Sequence, residues 1–400
     1  MIEAQSSFEG RRHPRILLLR SYSKAPFSAT IARALRHYHE VEFMQYPPWP
    51  ADRRVKLNKL YRADEAWEDL HTNLITNLAE LSGKLAERYF DFAILVDDGA
   101  QLFQYQQLNF WGKCRYWLGF LRSIIRQTRH QAWESLQYDC SLPYSLAELR
   151  QYLPVVAIDI SDAACLMPQN RRIFEESTLY FKRELPYDRF FLYYPDRPAP
   201  WSDRRKELLP KFEKIYGIPL GIEDGKYAQL KTQRKQPQDI DVFFAGEITN
   251  TLRKTAAIHL QELASNTSWN IVIKQSVPFR EYCELIARSK ITISIAGSRW
   301  ECFRHYEAVA LGSIPFMNKP TIDAVWWHSM PEQIFFENTF INFTSRIEQL
   351  LINESLRKAC FKKLEQQVEQ YMLHSKIVGY IINTSLEKLP CRPDSHSTNT

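Results

Sequence analysis

Glycine is scarce, at 12 of 400 residues, while apolar residues make up 45%, aromatics 13% and charged residues 24%. That balance excludes collagen-like repeats, coiled coil and disorder for most of the chain. No apolar run approaches the roughly 18–20 residues of a membrane span. The opening MIEAQSSFEGRRHPR has no apolar stretch after its charges, so no signal peptide is expected. The seven cysteines are odd in number and widely spaced. With no Cys-x-x-Cys and no His-x-x-x-His, the expectation is reduced thiols, no structural zinc and a cytoplasmic protein. Lys and Arg total 52 against 46 Asp and Glu, a formal charge of +6. This mild excess fits an anionic small ligand or an anionic membrane face. It is too diffuse to indicate nucleic acid.

Four hundred residues suit two domains. In the first half RILLLR (15–20), VEFMQY (41–46), FAILV (92–96) and VVAIDI (155–160) read as strands. A helix with Ile31, Leu35 and Tyr38 on one face follows the first, and 65–90 reads as a long helix. After the polar stretch 230–239 the rhythm resumes with DVFFAG (241–246), NIVIK (270–274), ITISIAG (291–297), IPFM (314–317) and FINF (340–343). Helices are expected at about 250 onward, 279–289, 301–311, 345–352, 354–372 and 374–388. Apolar strands alternating with helices predict parallel sheets covered on both faces. The fold class is therefore α/β, two tandem Rossmann-like doubly wound domains facing across a cleft. The expected boundaries are 14–225, 226–373 and a C-terminal helix over 374–390 that packs back on the first domain. Such sheets bind ligands at the carboxyl ends of their strands.

The most informative stretch is 291–317. A strand ends in Gly297-Ser298-Arg299, a helix carries Arg304 and Glu307 three apart on one face, and Gly312 ends it before the next strand. A helix N-terminus favours an anion, and Arg299 and Arg304 add charge-assisted bonds to a diphosphate. A carboxylate just beyond suits two ribose hydroxyls. Arg253 and Lys254 sit near a helix start, where cations oppose the dipole, a mismatch that an anionic ligand resolves. A solvated surface pair is the plain alternative for each. His305 and Cys302 read as packed helix residues.

Arg304-His305-Tyr306-Glu307-Ala308 followed by Gly312-Ser313-Ile314-Pro315 resembles the R-x-x-E-A…G-x-I-P element of GT-B glycosyltransferases, closest to the CgeB-like and exostosin-like groups. DVFFAGEITNTLRKT (241–255) and IPLGIED (218–224) extend the resemblance. It implies a nucleotide-sugar donor in the C-terminal domain. Glu307 would bind the donor ribose. Arg304, with Arg299, Arg253 and Lys254, would bind phosphates beside Gly246 and Ser298. Eight residues before Glu307 stands Arg299, where the retaining pattern E-x7-E has an acid. Inversion and retention both stay open.

The acceptor would then face the N-terminal strand ends. Asp97, Asp98 and Asp162 are candidates for the general base of an inverting transfer. Each can equally cap a helix or close a turn. Asp159 alternates with apolar neighbours and reads as structural. Lys182 and Arg183 read as a solvated charge run. No acid occurs between Asp98 and Glu134, and 107–130 is basic and amphipathic. It reads as a core-facing helix or as a membrane-surface contact for a lipid-linked acceptor. Asp239-Ile240-Asp241 precedes a strand rather than following one, so no metal is expected. The implied activity is metal-independent sugar transfer from a nucleotide sugar to a glycan or lipid-linked acceptor, at the inner membrane face. A nucleotide-sugar epimerase or hydrolase on the same fold, and a membrane-peripheral scaffold, are the rival readings.

Overall fold

The computed structural model describes residues 13–20, 25–37, 41–46, 72–96, 144–161, 163–166, 168–193, 209–235, 237–248, 250–297, 299–323, 325–327 and 329–389. The first half runs β1 (Arg15–Arg20), α1 (Ala25–His37), β2 (Glu42–Tyr46), α2 (Leu78–Ala86), β3 (Phe92–Val96), α3 (Leu146–Tyr152), β4 (Val155–Asp159), α4 (Pro168–Glu176), β5 (Leu179–Lys182) and β6 (Ile215–Gly217). These strands form one sheet in the order β2-β1-β3-β4-β5-β6, paired in parallel throughout. All five residues of β3 and of β4 are buried. Such runs, apolar but for Asp159 at the end of β4, suit a sheet covered on both faces. Alternate residues divide between two cores. Leu17, Leu19, Ala93 and Leu95 pack on one side, Ile16, Leu18, Ile94 and Val96 on the other.

The second half runs α5 (Asp224–Lys231), β7 (Ile240–Ala245), α6 (Thr251–Asn266), β8 (Ile271–Lys274), α7 (Phe279–Ala287), β9 (Ser289–Ile293), α8 (Phe303–Leu311), β10 (Ile314–Asn318), β11 (Phe335–Phe336), α9 (Phe343–Ile352), α10 (Glu354–Gln367) and α11 (His374–Lys388). Its sheet has the order β11-β10-β9-β7-β8, again with parallel pairing. Two doubly wound parallel sheets in tandem are the architecture that the resemblance to GT-B enzymes implies.

Two expected elements differ. The strand expected over 340–343 is a turn and a helix start, and the last strand is β11 instead. Phe340 takes a left-handed φ of 63°. Its ring lies 5.0 Å from Phe336 and 5.3 Å from Phe343. The aromatic run fills the core as a cluster around a turn, where periodicity suggested an extended chain. Of the helix expected over 65–90, the helical part among the described residues is α2. Asn77 caps it by accepting from the Glu80 N–H, and Leu74 pairs with Gln45 beside the sheet.

Among the described residues, the halves meet around the connecting segment with α11 and at the turn after β5. In the connecting segment Ile222 bridges Leu373, and Glu223 pairs with Arg33 of α1 at 2.6 Å. From there α11 returns to the first sheet, putting Ile377, Val378, Ile381 and Ile382 into the core shared with Ile16 and Leu18. At the second junction, the turn after β5 docks on the segment after β10. The Leu185 carbonyl accepts from the Asp323 N–H at 2.6 Å, and Arg189 pairs with Asp323.

Candidate functional site

The carboxyl ends of β7 and β9 lie side by side because the strands pair directly. Asn250 organises the loops above them. Its Oδ1 caps α6 by accepting from the Arg253 N–H at 2.9 Å. Its amide donates to the carbonyls of Ala296 and Gly297, at 3.1 and 3.0 Å. One side chain thus fixes both the helix start and the turn after β9.

Arg253 and Arg304 rise from the first turns of α6 and α8 and converge over Gly246. That glycine has φ 149°, and a Cβ there would stand 3.1 Å from Arg304 Nη2 and 3.7 Å from Arg253 Nη1. A Cβ on Gly297 would stand 2.8 Å from Arg253 Nη2. Glycine at both places leaves room for the guanidinium groups. Arg253 Nη1 donates to the Glu247 carbonyl at 3.1 Å. The Nε of both arginines and Nη1 of Arg304 are shielded from solvent and have no hydrogen-bond partner among the described residues. Burial and the neighbouring Arg304 charge lower the Arg253 pKa. Burial also opposes the charge of Arg304, but Tyr282, Cys302 and Glu307 raise its pKa overall. α8 begins at Cys302 without a side-chain cap.

Glu307 is buried behind this pair. Its Oε1 accepts from Lys226 Nζ at 2.7 Å and its Oε2 from the Tyr282 hydroxyl at 2.9 Å. Lys226 stands 5.5 Å from the ring centres of both Phe279 and Phe303, and these two rings are exposed. Each carboxylate oxygen accepts more than one bond. Lys226 and Tyr282 therefore leave the Glu307 carboxylate with further acceptor capacity.

Cys302 lies beside Arg304. Its Sγ is 3.7 Å from His305 Nδ1 and 3.5 Å from Ser294 Oγ. His305 Nδ1 lies 2.7 Å from Ser294 Oγ, and Nε2 lies 3.0 Å from the Trp300 carbonyl. Burial works against the thiolate, yet His305 and Arg304 outweigh it and bring the thiol down to about 6.

Gly246, Arg253, Arg304 and Glu307 are thus brought together. Lys254 is exposed, turned about 100° round the helix from Arg253. Arg299 is exposed as well, its carbonyl accepting from the Gly297 N–H at 2.9 Å. Ser298, Asp97, Asp98, Asp162 and the stretch 107–130 lie outside the described residues. Asp159 is buried and held by Tyr180, Lys182 and Ser161. Burial raises its pKa, and these partners lower it further than burial raises it. Lys182, expected in solvent, has no exposed surface. It stands opposite Asp159 in register and donates to Asp159 at 3.0 Å and to the Ala163 carbonyl at 2.6 Å.

Sequence reasoning missed Asn250, Lys226 and Tyr282. Asn250 was legible as a cap before an apolar helix. It also missed Glu184, in the turn after β5. Glu184 takes φ 55° and accepts from the N–H groups of Glu301 at 2.8 Å and Trp300 at 3.4 Å. Glu301 accepts in turn from the Leu220 N–H at 2.8 Å and the Tyr306 hydroxyl at 2.6 Å. Burial and the Glu301 charge push Glu184 up to about 7. Among the described residues no group of three or more His, Cys, Asp and Glu gathers as around a metal ion. Nor is any described helix long and apolar enough to cross a membrane.

The family model of the RXYLT1 C-terminal domain matches residues 246–334. That stretch opens at Gly246 and holds Arg253, Arg304 and Glu307. A search of curated proteins gives no match. Among solved structures, the chain is similar to a sucrose-phosphate synthase from Thermosynechococcus elongatus, at 10% identity and TM-score 0.44 over 94% of this chain and 98% of that one. It is similar to a glycosyltransferase from Rickettsia africae, at 9% identity and TM-score 0.47 over 96% and 100%. HepE from Anabaena, solved in complex with UDP-glucose, aligns at 10% identity and TM-score 0.41 over 94% and 100%.

Proposed function

We propose that the chain is a glycosyltransferase that holds a nucleotide-diphosphate sugar in its C-terminal half and moves the sugar to an acceptor hydroxyl. The observation that carries this reading is the convergence of Arg253 and Arg304 over Gly246, with N–H donors shielded and unpartnered. Two like charges a few ångströms apart repel, more strongly as water is excluded. A dianionic ligand removes that repulsion and satisfies the donors, and guanidinium forks match phosphate oxygens in geometry. Glu307, within the same helix, would accept from ribose hydroxyls. As the bond from sugar to phosphate breaks, negative charge builds on the departing diphosphate. Two fixed arginines and the start of α8 would stabilise that charge without a metal.

The acceptor would lie across the cleft. Asp97 and Asp98 directly follow β3, and Asp162 follows β4, so all three remain candidates for its base. A glycan or lipid-linked acceptor, contact of 107–130 with a membrane face and a cytoplasmic location belong to this proposal as well.

Calorimetric titration with a panel of nucleoside diphosphates tests it. One nucleotide should bind the wild type, and Arg304→Ala should lose about 10- to 100-fold in affinity, as charge-assisted bonds are worth roughly 1.5–3 kcal/mol. Equal affinity in the variant, or no binding by any nucleotide to a folded wild type, would sink the reading.

A further inference from the structure

We propose that Cys302 is a modification site, a thiolate on the wall of the arginine cradle that captures small soft electrophiles, so that an alkylated Cys302 and a bound diphosphate exclude one another. The second half of this statement rests on the donor-site reading; the first does not. Cys302 belongs to a cluster rather than standing alone. Its Sγ lies 3.7 Å from His305 Nδ1 and 3.5 Å from Ser294 Oγ, and it is partly exposed. It is the N-cap residue of α8, where the helix dipole favours an anion and its own side chain makes no cap bond. Two residues on, Arg304 presents the shielded, unpartnered Nε and Nη1 that point to an anionic occupant. The charges of Arg304 and Arg253 both act on the thiol. The same positive field that suits a diphosphate therefore suits a thiolate.

The chemistry is a simple displacement. With iodoacetamide, the Cys302 sulfur lone pair attacks the methylene carbon, a carbon–sulfur bond forms and iodide leaves. The thiolate has no proton to lose, and none is transferred. The acetamide group then stands beside Arg304, where a phosphate oxygen would otherwise sit.

The rate signature follows from two opposing effects. A thiol titrating near 6 is half ionised at pH 6, where an ordinary one near 8.5 is ionised to about 0.3%. A less basic thiolate is also a weaker nucleophile, with a Brønsted slope of about 0.4–0.5, which returns roughly a factor of 13. Cys302 should then react about tenfold faster than an ordinary exposed thiol at pH 6, and more slowly above pH 8.5. The midpoint of the pH–rate curve is more telling than the rate at neutral pH. Cys283 and Cys360, buried and with raised pKa values, should label last.

The test labels the folded wild-type chain with iodoacetamide from pH 5 to 9. Mass spectrometry of its peptides locates the label, with and without inorganic pyrophosphate. Binding of pyrophosphate is followed in parallel by thermal shift. The expected result is labelling at Cys302 with a midpoint near pH 6, slowed by pyrophosphate in proportion to its binding. A midpoint near pH 8.5, or no label at Cys302, overturns the thiolate site. Pyrophosphate that binds without slowing the label overturns the mutual exclusion. Labelling with a midpoint near 6 in a protein that binds no pyrophosphate and no nucleoside diphosphate overturns the donor reading and the exclusion together, while confirming the thiolate. His305→Ala supplies a second check, as loss of the imidazole should move the midpoint upward by a unit or more.

Discussion

Two neighbouring guanidinium groups with shielded, unpartnered N–H donors make a site whose binding and stability respond in opposite directions to mutation. Arg253→Met removes a charge that burial and the neighbouring Arg304 already disfavour. Without ligand, its unfolding free energy in urea should equal or exceed that of the wild type, while the melting-temperature rise on adding a diphosphate shrinks. A purely structural arginine would show the reverse. Lys226 should behave differently, because Glu307 has only 7% of its side chain exposed and takes its charge partner from Lys226. Lys226→Met should cost about 2 kcal/mol in the same urea titration, a discounted form of the roughly 3–5 kcal/mol for breaking a fully buried pair. Lys226→Met combined with Glu307→Gln should recover most of that loss, since neither partner of the ion pair is then left charged without the other. The two kinds of residue were not equally legible. Arg304 and Glu307 announce themselves three apart on one helix face. Lys226 lies 81 residues from its partner, and no local periodicity reports on a contact of that span.

Elements show where local pattern sufficed and where packing overruled it. β3 and β4 were readable because a strand buried on both faces is an apolar run, unbroken in FAILV and broken in β4 only at its last residue, Asp159. The end of α8 was readable because Gly312 takes φ 92°, a conformation a Cβ disfavours. Gly312→Ala should cost about 1 kcal/mol in thermal or chemical unfolding. The run Phe340–Phe343 misled because its rings serve a turn as well as they would a strand. The turn after β5 was unreadable, since Glu184 acquires its role from backbone N–H groups 116 and 117 residues away. That turn has its own pH signature. The Glu184 pKa of about 7 lies above its ordinary value of 4.5, so the folded state binds the extra proton between those limits. The contribution of Glu184 to stability therefore falls as pH rises from about 4.5 to 7 and stays low above it. The full shift corresponds to about 3 kcal/mol. The groups around it are Glu301 and Arg183, with His305 and Tyr306 behind Glu301. Urea unfolding at pH 5 and pH 8 should show a larger fall with pH in the wild type than in Glu184→Gln. Parallel curves would assign Glu184 an ordinary carboxylate.

At the scale of the molecule, the chain enters through the first sheet, builds the second and returns on α11 to complete the first core. Ile381 is almost wholly buried in that core. Ile381→Asp should therefore destabilise the N-terminal half, read as early proteolysis within residues 13–193, although the substitution lies near the end of the chain. The sequence rhythm made the tandem sheets legible, because each strand–helix unit is local. The junctions that set one sheet against the other join residues far apart in sequence and appear only in the folded chain. The central claim concerns the second sheet: the ends of β7 and β9 form a diphosphate cradle between Arg253 and Arg304. A crystal structure of the chain with the nucleoside diphosphate that binds best in calorimetry tests this most directly. The account expects the diphosphate over Gly246, within hydrogen-bonding distance of Arg304 Nε or Nη1 and of Arg253, with the ribose at Glu307. A nucleotide seated elsewhere, with the two guanidinium groups left as they are, would contradict it.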